Sequence, residues 1–132
     1  MIECLIMGDN IAVGTRQFRP ECVMIATNNI NSYDWINKNI TNAPFIAKSV
    51  IISLGSNDNK FINTESELRT LRELTKGDHI YWILPPTKPN IGETIKKIAA
   101  EYGDTVVPVT QLQANGIHPS SVGYKDIVQK TK

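Results

Sequence analysis

Five short apolar runs alternate with segments of helical periodicity, and this alternation constrains the fold more than any other feature of the sequence. The runs are rich in Ile, Val and Leu and do not alternate strictly with polar residues, which is typical of strands buried on both faces. They comprise Ile2–Met7, Cys22–Ala26, Val50–Leu54, Ile80–Leu84 and Thr105–Val109. We therefore predict five strands of one parallel sheet.

The segments between the apolar runs predict helices. In Thr64–Leu74 leucines recur every three positions, and Thr64 and Glu67 form a capping-box pattern that predicts Thr64 as the N-cap. The other predicted helices are Ser32–Ile40, Ile91–Tyr102, Ser121–Lys130 and a short helix after Asn10. Repeated strand–helix units predict a three-layer α/β/α fold, in which ligands bind beyond the carboxyl ends of the strands.

Length and charge exclude several classes of protein. The 132 residues match the usual size of one domain, so we predict a single domain over residues 1–132. Lys and Arg total 14 and Asp and Glu total 13, and this net charge of +1 argues against a nucleic-acid partner. No apolar run approaches the roughly 20 residues of a membrane-spanning helix. Glu3 also interrupts the first run, so we expect neither a signal peptide nor a membrane partner, and we predict a cytoplasmic location.

The two cysteines, Cys4 and Cys22, both lie in apolar runs. Two cysteines are too few for a zinc site or a disulfide scaffold, and unpaired cysteines are among the most buried residues in proteins. We therefore predict two buried, reduced thiols.

Small and polar residues follow every predicted strand. The segments are Gly8–Asn10, Thr27–Ser32, Gly55–Asp58, Pro85–Pro89 and, beyond the fifth strand, Asn115–Pro119. The last of them contains His118, one of only two histidines in the chain. Because the carboxyl ends of parallel strands share one edge of the sheet, these segments predict a single polar site there.

Three of these segments carry the sequence blocks of a known family, in the family's order. The blocks are Gly8-Asp9-Asn10, Gly55-Ser56-Asn57-Asp58 and His118-Pro119. The chain resembles the SGNH (GDSL-type) hydrolases from residue 2 to about residue 128, and most closely their small phage-encoded members. The resemblance implies a flavodoxin-like α/β/α sandwich with a five-stranded parallel sheet. It also implies cleavage of acyl or acetyl esters by a serine, a histidine and an aspartate, with no cofactor and no metal.

The resemblance assigns roles to individual positions. His118 matches the catalytic base, and Asn57 matches the side-chain donor of the oxyanion hole. Asn29 stands at the position of a glycine whose backbone N–H joins that hole, and Asn10 begins the helix whose N-terminus adds to it. The motif residues Gly8, Asp9, Gly55 and Asp58 are expected to hold the blocks in shape.

Three asparagines depart from the family pattern. Asn10 stands at the position of the nucleophilic serine, Asn115 at that of the orienting aspartate, and Asn29 at that of the glycine. A carboxamide has no hydroxyl to deprotonate, and its nitrogen is a poor nucleophile because its lone pair is delocalised. Loss of the orienting carboxylate alone costs about 10⁴-fold in turnover in a serine protease. We therefore expect ordinary family catalysis to be abolished or strongly impaired.

Other interpretations of these residues need no catalytic site of this family. Asn57 and His118 could instead only hydrogen-bond the backbone at a turn, as asparagine commonly does. Asp9 as a metal or phosphoryl-accepting carboxylate would need a second acid beside it and a lysine after the fifth strand, and neither is present. No glycine-rich nucleotide-binding motif follows the first strand.

Two functions agree with the sequence. The first is an ester hydrolase, acting on a small-molecule or carbohydrate ester, whose nucleophile and orienting acid have been replaced. The second is a non-catalytic carbohydrate- or acyl-binding protein that keeps the pocket. The retained Asn57 and His118 favour the first because a pure binder needs no base, whereas the three asparagines favour the second. Short loops predict a shallow, open site, and nothing in the sequence indicates an oligomeric state.

Overall fold

A computed structural model describes the whole chain, from Met1 to Lys132, and contains a parallel sheet of five strands. In chain order these strands are β1 (Cys4–Gly8), β2 (Val23–Ala26), β4 (Ser49–Ser53), β6 (His79–Ile83) and β7 (Thr105–Val107). All five were predicted. Two further strands, β3 (Phe45–Ile46) and β5 (Thr75–Lys76), pair with each other outside the main sheet. They were not predicted, because a strand of two residues is too short to show a periodicity.

The order of the strands in the sheet is β2-β1-β4-β6-β7. The chain passes from β1 to one neighbour, β2, and then returns to the other side of β1 to form β4. The register places Gly8 beside both Ala26 and Ser53, so the ends of these three strands lie together. In open parallel sheets this reversal of direction creates the crevice in which ligands bind.

Five helices cover the sheet, and all five were predicted. They are α1 (Asn10–Gln17), α2 (Ser32–Asn39), α3 (Thr64–Glu73), α4 (Pro89–Tyr102) and α5 (Ser121–Lys130), with a 3₁₀ turn at Ile40–Asn42. The predicted N-cap of α3 is wrong by one residue. Asn63 caps the helix by accepting the Ser66 N–H, while Thr64 Oγ1 donates instead to the Asp58 carboxylate. None of the helices combines the length and the apolar character that crossing a bilayer requires.

The core has two parts, one on each face of the sheet. Helices α2, α3 and α4 pack on one face around Trp35 and Trp82, both fully buried. Helices α1 and α5 pack on the other face through Ile11 and Ile127. Alternate residues of β1 face opposite cores, and both sets are apolar. Burial on both faces therefore explains why the strand sequences do not alternate with polar residues, and it confirms the three-layer α/β/α sandwich.

Cys4 and Cys22 form a disulfide, so the prediction of two reduced thiols is wrong. In the parallel pair of β1 and β2, Leu5 lies beside Val23, and the residues just before them therefore face each other. Their Cα atoms are 4.8 Å apart, within the roughly 4.4–6.8 Å that a disulfide spans. The pairing of these strands could not be read from the spacing of the cysteines. The cysteines therefore give no support to a reducing compartment.

Candidate functional site

The polar segments at the carboxyl edge of the sheet meet around a pocket of about 140 Å³. It contains five residues singled out in the sequence, Asp9, Asn10, Asn29, Asn57 and His118. Its complete lining is Asp9, Asn10, Ile11, Asn29, Ser56, Asn57, Thr87, Ile117 and His118. Ser56 and Thr87 were not predicted as site residues. Their only signal in the sequence is their place within the polar segments that follow β4 and β6.

The end of β1 is fixed against β4 by Gly8 and Asp9. Gly8 has a φ of 141°, and a Cβ at this position would lie 1.8 Å from the carbonyl oxygen of Ser53. The next backbone N–H, that of Asp9, donates to the same oxygen at 2.9 Å. Asp9 Oδ1 accepts from the Ile11 N–H and from Ser53 Oγ, both at 3.1 Å. These contacts set the start of α1 and with it the position of Asn10.

The Asp9 carboxyl is fully buried at the wall of the pocket. Its second oxygen, Oδ2, has no hydrogen-bond partner in the protein, and neither does the nearby buried Ser56 Oγ. Burial raises the pKa of Asp9 to about 6, against the opposing effect of the hydrogen bonds from Ile11 and Ser53. The pocket therefore holds one acidic group that titrates close to neutral pH.

Asp58 fixes the loop that carries Asn57. Its carboxylate is 3 % exposed and accepts three hydrogen bonds, from the Ser32 N–H at 2.8 Å and from the hydroxyls of Ser32 and Thr64 at 2.6 Å each. Those residues begin α2 and α3, so one buried carboxylate ties the loop to the N-termini of two helices. Gly55, with a φ of 112°, makes the turn that leads into the loop. Asn57 is consequently held in place from both sides.

The side-chain oxygen of Asn10 lies between two converging donors. Asn10 Oδ1 accepts from the backbone N–H of Asn29 at 2.8 Å and from Asn57 Nδ2 at 3.3 Å. These donors are two of the three groups that the resemblance assigns to an oxyanion hole. The carboxamide of Asn10 thus places its own carbonyl oxygen where a hole of this kind would receive the oxygen of a substrate.

Asn29 holds the Asn10 carboxamide from the other end as well. Asn10 Nδ2 donates to Asn29 Oδ1 at 3.0 Å, so the two residues share two hydrogen bonds. Asn29 is the only residue other than glycine with a positive φ, 66°, a region that asparagine tolerates better than most side chains. Asn29 therefore offers its backbone N–H to Asn10 and also carries a side chain that orients the same carboxamide.

Asn115 and His118 also lie together, and their contact favours one tautomer of the imidazole. Asn115 Oδ1 accepts the backbone N–H of Ile117 at 2.9 Å and that of His118 at 3.3 Å. These bonds turn Asn115 Nδ2 toward His118 Nδ1, 3.5 Å away. Since an amide nitrogen can only donate, the contact favours an imidazole that accepts at Nδ1 and carries its proton on Nε2. No hydrogen bond joins His118 to Asn10.

Comparison with known proteins gives the fold class. No protein-family model and no curated protein sequence matches the chain. A GDSL-like lipase of Bacteroides thetaiotaomicron superposes with a TM-score of 0.73 at 15% identity, covering 97% of this chain and 86% of that one. A Bacteroides fragilis protein described as an acylhydrolase gives 0.71 at 15% identity, over 97% and 85% of the two chains.

The catalytic domain of peptidoglycan O-acetyltransferase A from Streptococcus pneumoniae is also similar. It gives a TM-score of 0.61 at 18% identity, over 98% of this chain and 92% of that domain. At these identities the likeness is one of fold. The chain has the fold of the SGNH hydrolases, as the sequence resemblance implied, and its structural neighbours include GDSL-like lipases.

Proposed function

We propose that the chain is an SGNH-type ester hydrolase scaffold whose site, built for a small-molecule or carbohydrate ester, is inactive or strongly impaired. The observation that carries this proposal is the position of Asn10 Oδ1 between the Asn29 N–H and Asn57 Nδ2. A substrate carbonyl would have to displace this oxygen to use the same donors. Even then it would meet no hydroxyl nucleophile, because Asn10 stands where the serine is expected.

The state of His118 supports the same conclusion. A catalytic base of this type takes the nucleophile's proton on Nε2, which requires its own proton on Nδ1 and an acceptor facing that atom. Asn115 presents a donor to Nδ1 instead. In the tautomer that this contact favours, Nε2 carries the proton and can donate a hydrogen bond but cannot accept one. Asn10 and Asn115 therefore remove the nucleophile and the base function independently of each other.

A second candidate, a non-catalytic binding protein, is favoured by the completeness of the hydrogen bonding around Asn10. The Asn10 carboxamide bonds to Asn29 and Asn57, and Asn57 Nδ2 also donates to the Ile30 carbonyl at 3.1 Å, so no charged group takes part. Such a network keeps the pocket folded without a substrate, and the Nε2–H of His118 remains as a donor for a neutral ligand. In this interpretation the pocket recognises a carbohydrate or acyl group and releases it unchanged.

Hydrolysis of p-nitrophenyl acetate tests the proposal. Initial rates would be compared for the native chain and for the triple variant Asn10→Ser, Asn29→Gly, Asn115→Asp. We expect only the triple variant to turn over, at least about 10³-fold faster than the native chain. Adding His118→Ala should abolish that gain. A control triple with the same exchanges outside the pocket, Asn37→Ser, Asn42→Gly and Asn90→Asp, should stay inactive.

Two results would contradict the proposal. Turnover by the native chain that His118→Ala removes would show that the asparagines have not impaired the site. A folded triple variant that is inert toward acetate and longer esters would argue against a hydrolase scaffold. The imidazole ¹⁵N shifts give an independent check, because Asn115→Asp should move the His118 proton from Nε2 to Nδ1.

A further inference from the structure

A groove of about 380 Å³ opens beside the pocket and shares Asn10, Asn29 and His118 with it. The rest of its wall comes from α1, from the loop after β2, and from α5 with the segment before it. These parts contribute Val13, Gly14, Gln17, Asn28, Gln113 and Tyr124. We call this surface the amide groove. Its volume lies within the roughly 300–1,000 Å³ typical of small-molecule sites, whereas the pocket alone is smaller.

The polar side chains that line the amide groove are available for hydrogen bonds to a ligand. The side-chain amides of Gln17, Asn28 and Gln113 are exposed and make no hydrogen bond within the protein, and the half-buried Tyr124 makes none through its hydroxyl. At the pocket end, Asp9 Oδ2 and Ser56 Oγ are buried and also unpaired. Buried polar groups are normally hydrogen-bonded. The groove and the pocket beside it thus both present polar groups that a ligand could satisfy.

Tyr124 is held in the amide groove by the surrounding packing. A Cβ on Gly14 would lie 2.2 Å from Tyr124 Cζ and 2.3 Å from its hydroxyl oxygen, so only glycine allows the phenol to rest against α1. Phe18 stacks on the same ring, with centroids 5.7 Å apart and planes 15° from parallel. The hydroxyl is therefore positioned in advance of binding, which reduces the entropy cost of recognising a ligand.

The chemistry of the lining selects the kind of ligand. No Lys, Arg, Asp or Glu lines the amide groove, so it offers no charge to an anion or a cation. Only Val13 and the Tyr124 ring are apolar, which is too little for an acyl chain. A carboxamide presents a donor and an acceptor side by side, and neighbouring hydroxyls of a sugar match that pair.

We propose that the amide groove binds a neutral oligosaccharide through Gln17, Asn28, Gln113 and Tyr124. This inference rests on the proposed function and deepens it, since the groove shares Asn10, Asn29 and His118 with the pocket and would place the carbohydrate part of a ligand beside Asn10. The site therefore recognises a sugar through hydrogen bonds to its hydroxyls, with no contribution from ionic attraction.

Titration of the ¹⁵N-labelled full chain with uncharged tetrasaccharides tests this assignment. The probes are cellotetraose, maltotetraose and tetra-N-acetylchitotetraose, followed by ¹H–¹⁵N spectra. We expect at least one probe to shift the side-chain amides of Gln17, Asn28 and Gln113 saturably. Gln17→Ala and Gln113→Ala should each weaken binding about fivefold, the effect of one lost neutral hydrogen bond. Gln129→Ala, which removes an exposed carboxamide of α5 outside the groove, should leave binding unchanged.

Several outcomes would overturn the proposal. They are no saturable shift at millimolar concentrations of any probe, shifts confined to other surfaces, and equal weakening by Gln129→Ala. Saturable shifts with a capped pentaalanine peptide but with no sugar would assign the groove to peptides instead. Because the assay measures binding by the native chain, its result is independent of whether the triple variant hydrolyses esters.

Discussion

At the scale of single residues, Asn10 and Asn115 each make a contact that the residue expected at that position would not make. Asn10 lacks the hydroxyl of a serine, but its longer side chain also carries a carbonyl oxygen to the converging donors of Asn29 and Asn57. Asn115 lacks a charge, but it also presents a donor to His118. The hydrogen bonds around Asn10 are all made by neutral groups, and the buried Asp9 is the one acidic group that lines the pocket.

Asp9 gives the chain a pH-dependent stability. Burial raises its pKa from 3.8 to about 6, so between these values the folded protein keeps a proton that the unfolded chain has lost. Its contribution is therefore full below pH 4 and is lost as the pH rises through 6, by about 3 kcal/mol. Asp9→Asn keeps the oxygen that caps α1 and removes the titration. The difference in unfolding free energy between variant and native chain, from urea titrations, should grow by this amount from pH 4 to pH 7.

The exposed carboxyl groups provide the comparison for Asp9. Ion pairs lower the pKa values of Glu65 and Glu101, so the stability that these two groups contribute to the fold is lost only as the pH falls into the acid range. This loss is the same in the native chain and in the variant. Subtracting the two curves therefore isolates Asp9. Parallel curves for Asp9→Asn and the native chain would show that the buried carboxyl does not titrate in this range.

At the scale of elements, the close approach of β1 to β4 makes Gly8 indispensable to the site. A Cβ there would overlap the Ser53 carbonyl, and the φ of 141° is unfavourable for any other residue. We expect Gly8→Ala to destabilise the fold by about 3 kcal/mol or more, because the strands must separate to accept it. Unfolding in urea measures the effect. A loss below about 1 kcal/mol would mean that the strand ends adjust freely.

Gly92 is the matched control for Gly8. It lies inside α4, and a Cβ at this position meets nothing within 4 Å. Alanine favours a helix interior over glycine by roughly 0.5–1 kcal/mol, so Gly92→Ala should stabilise the chain slightly. If Gly8→Ala lowers the unfolding free energy and Gly92→Ala raises it, the loss at Gly8 comes from the backbone overlap there and not from replacing a glycine as such.

The elements show how far periodicity predicts a structure. Strands and helices with several apolar residues in register were predicted, since burial selects that pattern directly. The cap of α3 was misplaced because Asn63 and Thr64 are both suitable N-caps in a sequence. Only the folded position of Asp58 shows that Thr64 is engaged elsewhere. Local patterns therefore predict which elements form, and long-range contacts decide how they end.

At the scale of the whole molecule, topology predicts where the site lies but not which atoms meet there. Polar segments after parallel strands must share one edge, so Asn10, Asn57 and His118 could be brought together from the sequence. The amide groove could not, because it depends on how α1 packs against α5, where Gly14 meets Tyr124. No periodicity records that contact. The contacts that select a ligand come from packing between segments that are distant in the sequence, and a local motif does not describe them.

The disulfide is the clearest consequence of such distant packing, and it fixes the edge strand β2 to β1. A bridge between residues separated by 18 positions stabilises a fold by about 3 kcal/mol, mainly by restricting the unfolded chain. The double variant Cys4→Ser, Cys22→Ser should lose this amount in urea unfolding at pH 7. A thiol reductant should lower the stability of the native chain to the same value and leave the variant unaffected. If neither the reductant nor the double substitution changed the unfolding midpoint, the covalent link would contribute nothing to stability. Hydrogen bonding between β1 and β2 would then be sufficient to hold the edge of the sheet.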